Sequence, residues 1–329
     1  MTRARDNAFN PFNNQYAGKN ILINGAFDFW QRGTTFSNTG ASNKYTADRW
    51  GAVRGGWAAG QKTERIDINK SELPISVNYG CRISRIQGNS NTSSYAMTQC
   101  LEESMVVALA GQTVTFSFYA RKSSSYTGTA IILSLLTGTS QFGPGDGVPG
   151  LVNNEIYVNP SLSWVRYSIT ATVPVNARGL GVSINATCSG TAPENEYLEI
   201  AGAQLEVGSI PTTFSRAGGT IGQELSLCHR YFQQLETFSN YLNVTTNYLS
   251  AYTNSYTQNI PFKINMRTSP SLTFIDLNSN SLKVTGYLAG GPVHNLSPVV
   301  QASAGGLRMY VSGEYRYFEI LSVYASSEV

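Results

Sequence analysis

Residues Asn20–Trp50 read NILINGAFDFWQRGTTFSNTGASNKYTADRW. In a chain otherwise poor in charge, this stretch sets Trp30 and Trp50 among Asp28, Arg32, Asp48 and Arg49. Such a cluster can be a catalytic constellation, a platform for stacking sugars, or scaffolding that closes a domain. NILINGAF reads as a first strand, with Ile21 and Ile23 on one face and Gly25 allowing a kink. Phe27 and Phe29 then face away from Asp28 and Trp30. A strand that buries Trp30 beside Asp28 must give the carboxylate a partner, and Arg32 or Arg49 can supply a charge-assisted bond. Such a buried pair adds little net stability, yet removing one member costs roughly 3–5 kcal/mol. Asp28, Trp30, Arg32, Asp48, Arg49 and Trp50 are therefore expected to form structural core and ion pairs, the scaffolding answer.

Beyond this segment the signal is period-two alternation. TVTFSFYA places Val114, Phe116, Phe118 and Ala120 on one face, and WVRYSITATV and LGVSINA repeat the pattern. AIILSLL is apolar on both parities, as in a strand covered on both sides. Turn-rich stretches such as GNSNTSS and FGPGDGVPG separate the strands. In EYLEIAGAQLEV the apolar parity switches at Gly202, which predicts a β-bulge in a closing strand. Many half-buried strands without intervening helices predict a sandwich or jelly roll.

TIGQELSLCHRYFQQLETF follows, with Leu225, Cys228, Phe232 and Leu235 at helical spacing. The stripe predicts a helix that packs on a sheet or meets its own copies as a short heptad seam. Thr220 and Gln223 have capping-box spacing, and Glu224 sits in the first turn, where the helix dipole favours an anion. Tyrosine-rich β patterns then resume: NIPFKI, SLTFID, LKVTGYL, LRMYVS and YRYFEILSVY. The expected architecture is all-β: a docking arm at 1–19, a jelly-roll β-sandwich at 20–213, a linker and helix at 214–239, and a smaller β domain at 240–329.

Of the 329 residues, 13% are charged and the net charge is only +3. That thin charge, with no basic cluster, argues against nucleic acid as a partner. The opening MTRARDNAFNPFNNQY has no apolar run behind its arginines, so it is not expected to be a leader. The longest apolar run is too short to span a bilayer, so folding in a cytoplasm without membrane insertion is expected. Cys81, Cys100, Cys188 and Cys228 lack CxxC spacing and read as free thiols, although a Cys81–Cys100 bridge is conceivable.

Chemistry is sparse. The two histidines, His229 and His294, have no ligand-spaced partner, so no transition-metal site is expected. No nucleophile elbow and no phosphate-binding glycine loop occur. Glycoside hydrolysis needs two carboxylates across a cleft; Glu102, Glu103, Asp146, Glu155, Glu194, Glu196, Glu199 and Glu206 are available, and sequence cannot pair them. Stacking on sugar needs exposed aromatic side chains. Trp57 in RGGWAAGQ, and Tyr95 and Tyr126 in Ser/Thr-rich stretches, are the glycan-binding candidates, against the plainer reading that the tyrosines only cover loops.

NILINGAFDFWQRGTTF…YTADRW resembles the opening of a β-sandwich module of bacteriophage tail-fibre and related virion proteins, itself similar to carbohydrate-binding jelly rolls. AGAQLEVGSIPTTFSR resembles its closing strand, GQELSLCHRYFQQL the helix after it, and PFKINMRTSPSLTF the start of the small β domain that follows. MTRARD resembles the start of structural proteins in phages of cyanobacteria. The resemblance implies a non-enzymatic virion protein, a homotrimer assembled in the host cytoplasm, whose arm docks on other virion proteins while outer domains face host polysaccharide or lipopolysaccharide. It requires no cofactor, but carbohydrate-binding jelly rolls often carry a structural calcium, here at positions matching Asn24, Asp28, Glu199 and Glu206. Ca²⁺ takes six to eight oxygens, so further ligands would be needed. The expected function is a tail fibre or fibre-like component that attaches by multivalent glycan contacts. The alternatives are a structural decoration or connector of head or tail, and a polysaccharide depolymerase.

Overall fold

A computed structural model describes residues 19–37, 44–54, 60–144, 152–235, 255–275, 284–288, 291–296, 299–312, 317–319 and 322–328. The chain divides into two compact units, Met1–Leu225 (with Val329) and Ser226–Glu328. The described residues form antiparallel sheets and two short helices, a β-sandwich followed by a smaller β unit.

The first unit is a sandwich of two six-stranded sheets. Sheet A has the order β1 (Thr35–Ser37), β4 (Gln61–Asp67), β5 (Tyr79–Arg85), β12 (Tyr197–Val207), β7 (Thr113–Lys122), β10 (Val165–Thr172). Sheet B has the order β2 (Lys44–Tyr45), β3 (Gly51–Arg54), β6 (Tyr95–Cys100), β11 (Gly179–Ala186), β8 (Ile131–Gly138), β9 (Val152–Val158). The chain crosses between sheets after β1, β3, β5, β6, β7, β9, β10 and β11, the jelly-roll habit. Alternating side chains from the two inner faces fill the core: Phe116 and Phe118 from β7, Leu198 and Ile200 from β12, Leu133 and Leu135 from β8, Val182 and Ile184 from β11. The expected bulge is present, with register shifting between Ala201 and Gln204 of β12 and Gly202 at φ +59°. A short helix, α1 (Glu103–Leu109), was not anticipated; it buries Met105, Val106 and Leu109 against the core.

Asn20–Trp30 corrects the first expectation. It is no strand but a series of turns, because Asn24 and Phe27 adopt left-handed backbone, φ 59° and 55°, which an extended run cannot contain. The segment is buried between the sheets. Toward sheet A, the Ile21 amide donates to Leu205 O (2.8 Å) and the Ala203 amide to Gly25 O (2.8 Å). The Asn20 carboxamide imitates a peptide unit there, donating to Ala203 O and accepting from the Leu205 amide. Toward sheet B, Gln99 does the same, accepting from Ile23 N (2.9 Å) and donating to Ile23 O (2.8 Å). Asn24, tolerant of left-handed backbone, bonds Phe29 O, Asp48 O and the Phe29 amide with its side chain. Trp50, fully buried, donates to Asn24 O and packs its ring 5.1 Å from Phe27; Trp30 donates to Phe27 O.

The helix stripe needs a second correction. After Thr220, whose hydroxyl accepts from the Gln223 amide as expected of an N-cap, α2 (Ile221–His229) runs only to His229. Leu225 and Cys228 lie on it, but Phe232 and Leu235 lie on a strand, β13 (Phe232–Leu235). Tight turns from Arg230 N to Leu227 O and Tyr231 N to Cys228 O close the helix. Buried Gln233 then caps the His229 carbonyl and ties β13 to Ile264 O and the Lys263 amide. No seam of four residues on one helix exists. In the second unit β13 joins a sheet with β21 (Ser322–Ser326) and β15 (Ser271–Ile275). Two further three-stranded sheets are formed by β14 (Ser255–Pro261), β19 (Gly306–Ser312) and β18 (Val299–Ser303), and by β17 (Gly291–Leu296), β16 (Val284–Leu288) and β20 (Tyr317–Glu319). His294 lies on β17.

This buried segment is a plug between the sheets, and at Gly25 it lies directly against β12: a Cβ there would lie 2.0 Å from Ala203 O. Gly25→Ala therefore forces backbone apart. It is expected to destabilise the sandwich by about 1–3 kcal/mol, the usual cost of overpacking, read as a lower midpoint in urea unfolding.

Candidate ligand-binding face

The outer face of sheet B carries the most binding-competent arrangement among the described residues. Inward residues of β6, β11, β8 and β9 enter the core, so their neighbours must point outward. The strand registers align Thr98, Ser183, Ser134 and Glu155 in one row across the four strands, and Ala96, Asn185, Ile132 and Tyr157 in the next. The first row is internally bonded: Thr98 and Ser183 hydroxyls meet at 3.0 Å, and Ser134 donates to Glu155 Oε1 at 3.2 Å. Asn185 Nδ2 reaches Ser134 Oγ at 3.5 Å. Phe142 and Pro144 rest on the glycine floor beside this row, above Gly179 and Gly181 and above Gly51 respectively. Thr98, Ser183 and Ser134 are closed to solvent, whereas Glu155 is exposed and Tyr157 is 66% exposed. The open end thus offers a phenol ring, a carboxylate and a half-buried amide on one rigid surface. A ring of this kind stacks on apolar C–H faces while the carboxylate and amide bond hydroxyls. The pattern EIYV, with Ile156 and Val158 packing inward, was the available signal, and sequence reading passed it over.

The three aromatic candidates fare differently. Trp57 lies outside the described residues. Tyr95 and Tyr126 are not loop platforms: Tyr95 begins β6 on its inward parity and is fully buried, and Tyr126 is buried with its hydroxyl donating to Ala130 O. Burial drives both phenol pKa values upward. None of the four cysteines is in a disulfide, and burial raises the pKa of the Cys81 thiol likewise.

The charged residues near the plug form two clusters, with pairings other than those expected. Asp48 accepts from the Gln31 amide and carboxamide and lies 3.8 Å from Arg32; Arg49 donates to Cys100 O. Asp28 pairs instead with Arg216, 188 residues away. The same guanidinium reaches Glu224 Oε2 at 3.2 Å, and Glu224 Oε1 accepts the Asn24 amide. Two buried carboxylates thus share one cation, and burial raises both pKa values despite Arg216.

The expected calcium positions are not assembled. Asn24 and Asp28 are engaged as described, Glu199 is held by Arg82 and Arg121, and Glu206 accepts from Gln204 and Thr212. Among the described residues no group of three or more His, Cys, Asp or Glu could hold a metal. Glu199 belongs to a charge ladder on the outer face of sheet A, Glu64–Arg82–Glu199–Arg121, whose arginines stack on Tyr197 and Trp164. Alternating signs leave that face without a net call for an anion.

No family model matches the chain, and no curated protein matches it. Solved structures similar to part of it include the enzymatically active domain of bacteriophage CBA120 tailspike protein 4, at 14% identity and TM-score 0.36 over 58% of this chain and 22% of that one. A CBM4 structure matches at 15% identity and TM-score 0.32, over 56% and 98%. The CBM22-1 xylan-binding domain of Paenibacillus barcinonensis Xyn10C matches at 9% identity and TM-score 0.31, over 53% and 98%. The shared part is therefore only about a fifth of the tailspike chain.

A raised carboxyl pKa means that ionisation opposes folding. The stability linked to Asp28 is full below its ordinary value of 3.8 and is lost as pH rises through the raised value. The difference in Tm, wild type minus Asp28→Asn, is therefore expected to shrink as pH climbs from about 4 towards 7. A difference that widens over that range would show the Arg216 pair outweighing burial.

Proposed function

We propose that this chain is a structural component of a bacteriophage virion, a tail fibre or fibre-like protein that attaches to host-surface glycan. The observation that carries the binding role is exposed Tyr157 beside Glu155 and Asn185 on the outer face of sheet B. One such face makes a weak contact. A homotrimer would present three, and linkage raises avidity far above single-site affinity. The virion role is supported by the ordered resemblance of NILINGAFDFWQRGTTF, AGAQLEVGSIPTTFSR and GQELSLCHRYFQQL to phage fibre segments. In this reading the arm at 1–19, of which 1–18 lie outside the described residues, docks on other virion proteins, and the protein resides in the particle after assembly in the host cytoplasm. Catalysis is no part of the reading. Glu196, Glu199 and Glu206, among the carboxylates open to a hydrolase role, are engaged by arginine, amide or hydroxyl groups. A depolymerase would release reducing ends from host polysaccharide; none are expected.

A structural decoration or connector is the second reading, favoured by the burial of Thr98, Ser183 and Ser134, which leaves a small open surface. The two separate on one pair of variants. Under attachment, Tyr157→Ala weakens binding of the trimer to host envelope polysaccharide about five-fold or more with Tm within about 2 °C, since the ring is exposed. Under the structural reading, Tyr157→Ala changes nothing, while deleting residues 1–19 abolishes incorporation into particles.

A further inference from the structure

At the end of the sandwich where β5 finishes and β12 begins, Arg85 is enclosed with no exposed side chain. Its Nε donates to Glu196 Oε2 at 2.7 Å. Nη1 donates to the carbonyls of Asn91 (3.0 Å) and Gly190 (2.9 Å), with Asn89 O at 3.4 Å. Nη2 donates to Ser189 O and Thr127 Oγ1, both at 3.1 Å, and to Glu196 Oε1 at 3.2 Å. The shell is itself organised. The Thr127 hydroxyl donates to Glu196 and accepts from the Ser189 amide, while Ser189 Oγ returns a bond to Thr127 O. Asn89 and Asn91 set their loop by accepting from the amides two residues on.

This differs from an ordinary ion pair. A single carboxylate neutralises the charge, yet most of the oxygens are backbone carbonyls and a hydroxyl from three separate loops. Carbonyls from several loops converging on one buried point repel one another unless a cation sits between them. We infer that this end of the sandwich is built around a cation site specific for a planar guanidinium, and that the chain supplies its own as Arg85. The flat fork matters because donors must leave in five fixed directions. A lysine ammonium or a spherical ion carries charge but cannot span the same oxygens. The site also fixes the ends of two strands of the candidate face, since the held segments at Thr127 and Ser189 lead into β8 and out of β11, next to Asn185.

The test is chemical rescue in the full chain. Arg85→Ala should lower Tm by on the order of 10 °C, as expected when a buried charge loses its partner. Methylguanidinium at low, non-denaturing concentration should restore most of that loss in a saturable way, while leaving wild type unimproved. Methylammonium and Ca²⁺ should not. If Arg85→Ala is insoluble when expressed, its refolding yield with and without methylguanidinium reads the same property. Arg85→Lys should be destabilised and should not respond. The inference is overturned if methylguanidinium gives no saturable recovery, if Ca²⁺ or methylammonium rescues equally, or if Arg85→Lys matches wild type.

Discussion

The sandwich depends on a plug. Residues 20–27 occupy the gap between the two sheets and bond to both, through Ile21 and Gly25 to the backbone of β12 and through Ile23 to the Gln99 carboxamide of β6. Buried peptide groups cannot be left unpaired without loss of a kcal/mol or more each. A turn-rich segment can sit in the core only because Asn20, Asn24 and Gln99 act as substitute peptide units. Trp50 and Trp30 then seal the plug by donating their indole N–H groups to its own carbonyls. The tryptophans are scaffolding.

The same economy governs charge. A chain with 13% charged residues places several of them inside, where one ion serves more than one partner. Arg216 serves Asp28 and Glu224; Glu199 serves Arg82 and Arg121; Arg85 serves Glu196 and a ring of carbonyls. Buried pairs of this type add little net stability compared with apolar packing, but they are costly to break. Their effect is to select one geometry for the loops and the plug, leaving the outer face of sheet B as small polar side chains with an aromatic at the rim.

Much of the sandwich was legible because period two is a direct imprint of the pleat: β7, β8, β10 and β11 fall on the stretches that alternate or are apolar throughout. The Gly202 bulge was legible because a parity switch at glycine has little other cause. The plug was misread as a strand, since NILINGAF alternates while the left-handed turns at Asn24 and Phe27 leave no mark on polarity. The helix was read too long because Phe232 and Leu235 satisfy a three-residue spacing that a strand next to a helix end can also produce. Arg216 as the partner of Asp28 was not legible, since nothing local links positions 188 apart. The candidate face was missed for a related reason: it exists only when four strands are set in register.

Hydrogen exchange in the native state addresses the plug most directly. If it holds the sheets together, the amides of Ile21, Ile23 and Ala203 should exchange only with global unfolding, and their opening free energy should match that from denaturant melts. Exchange of these three amides through local opening, many-fold faster than that of the β7 core, would mean that the sandwich stands without it.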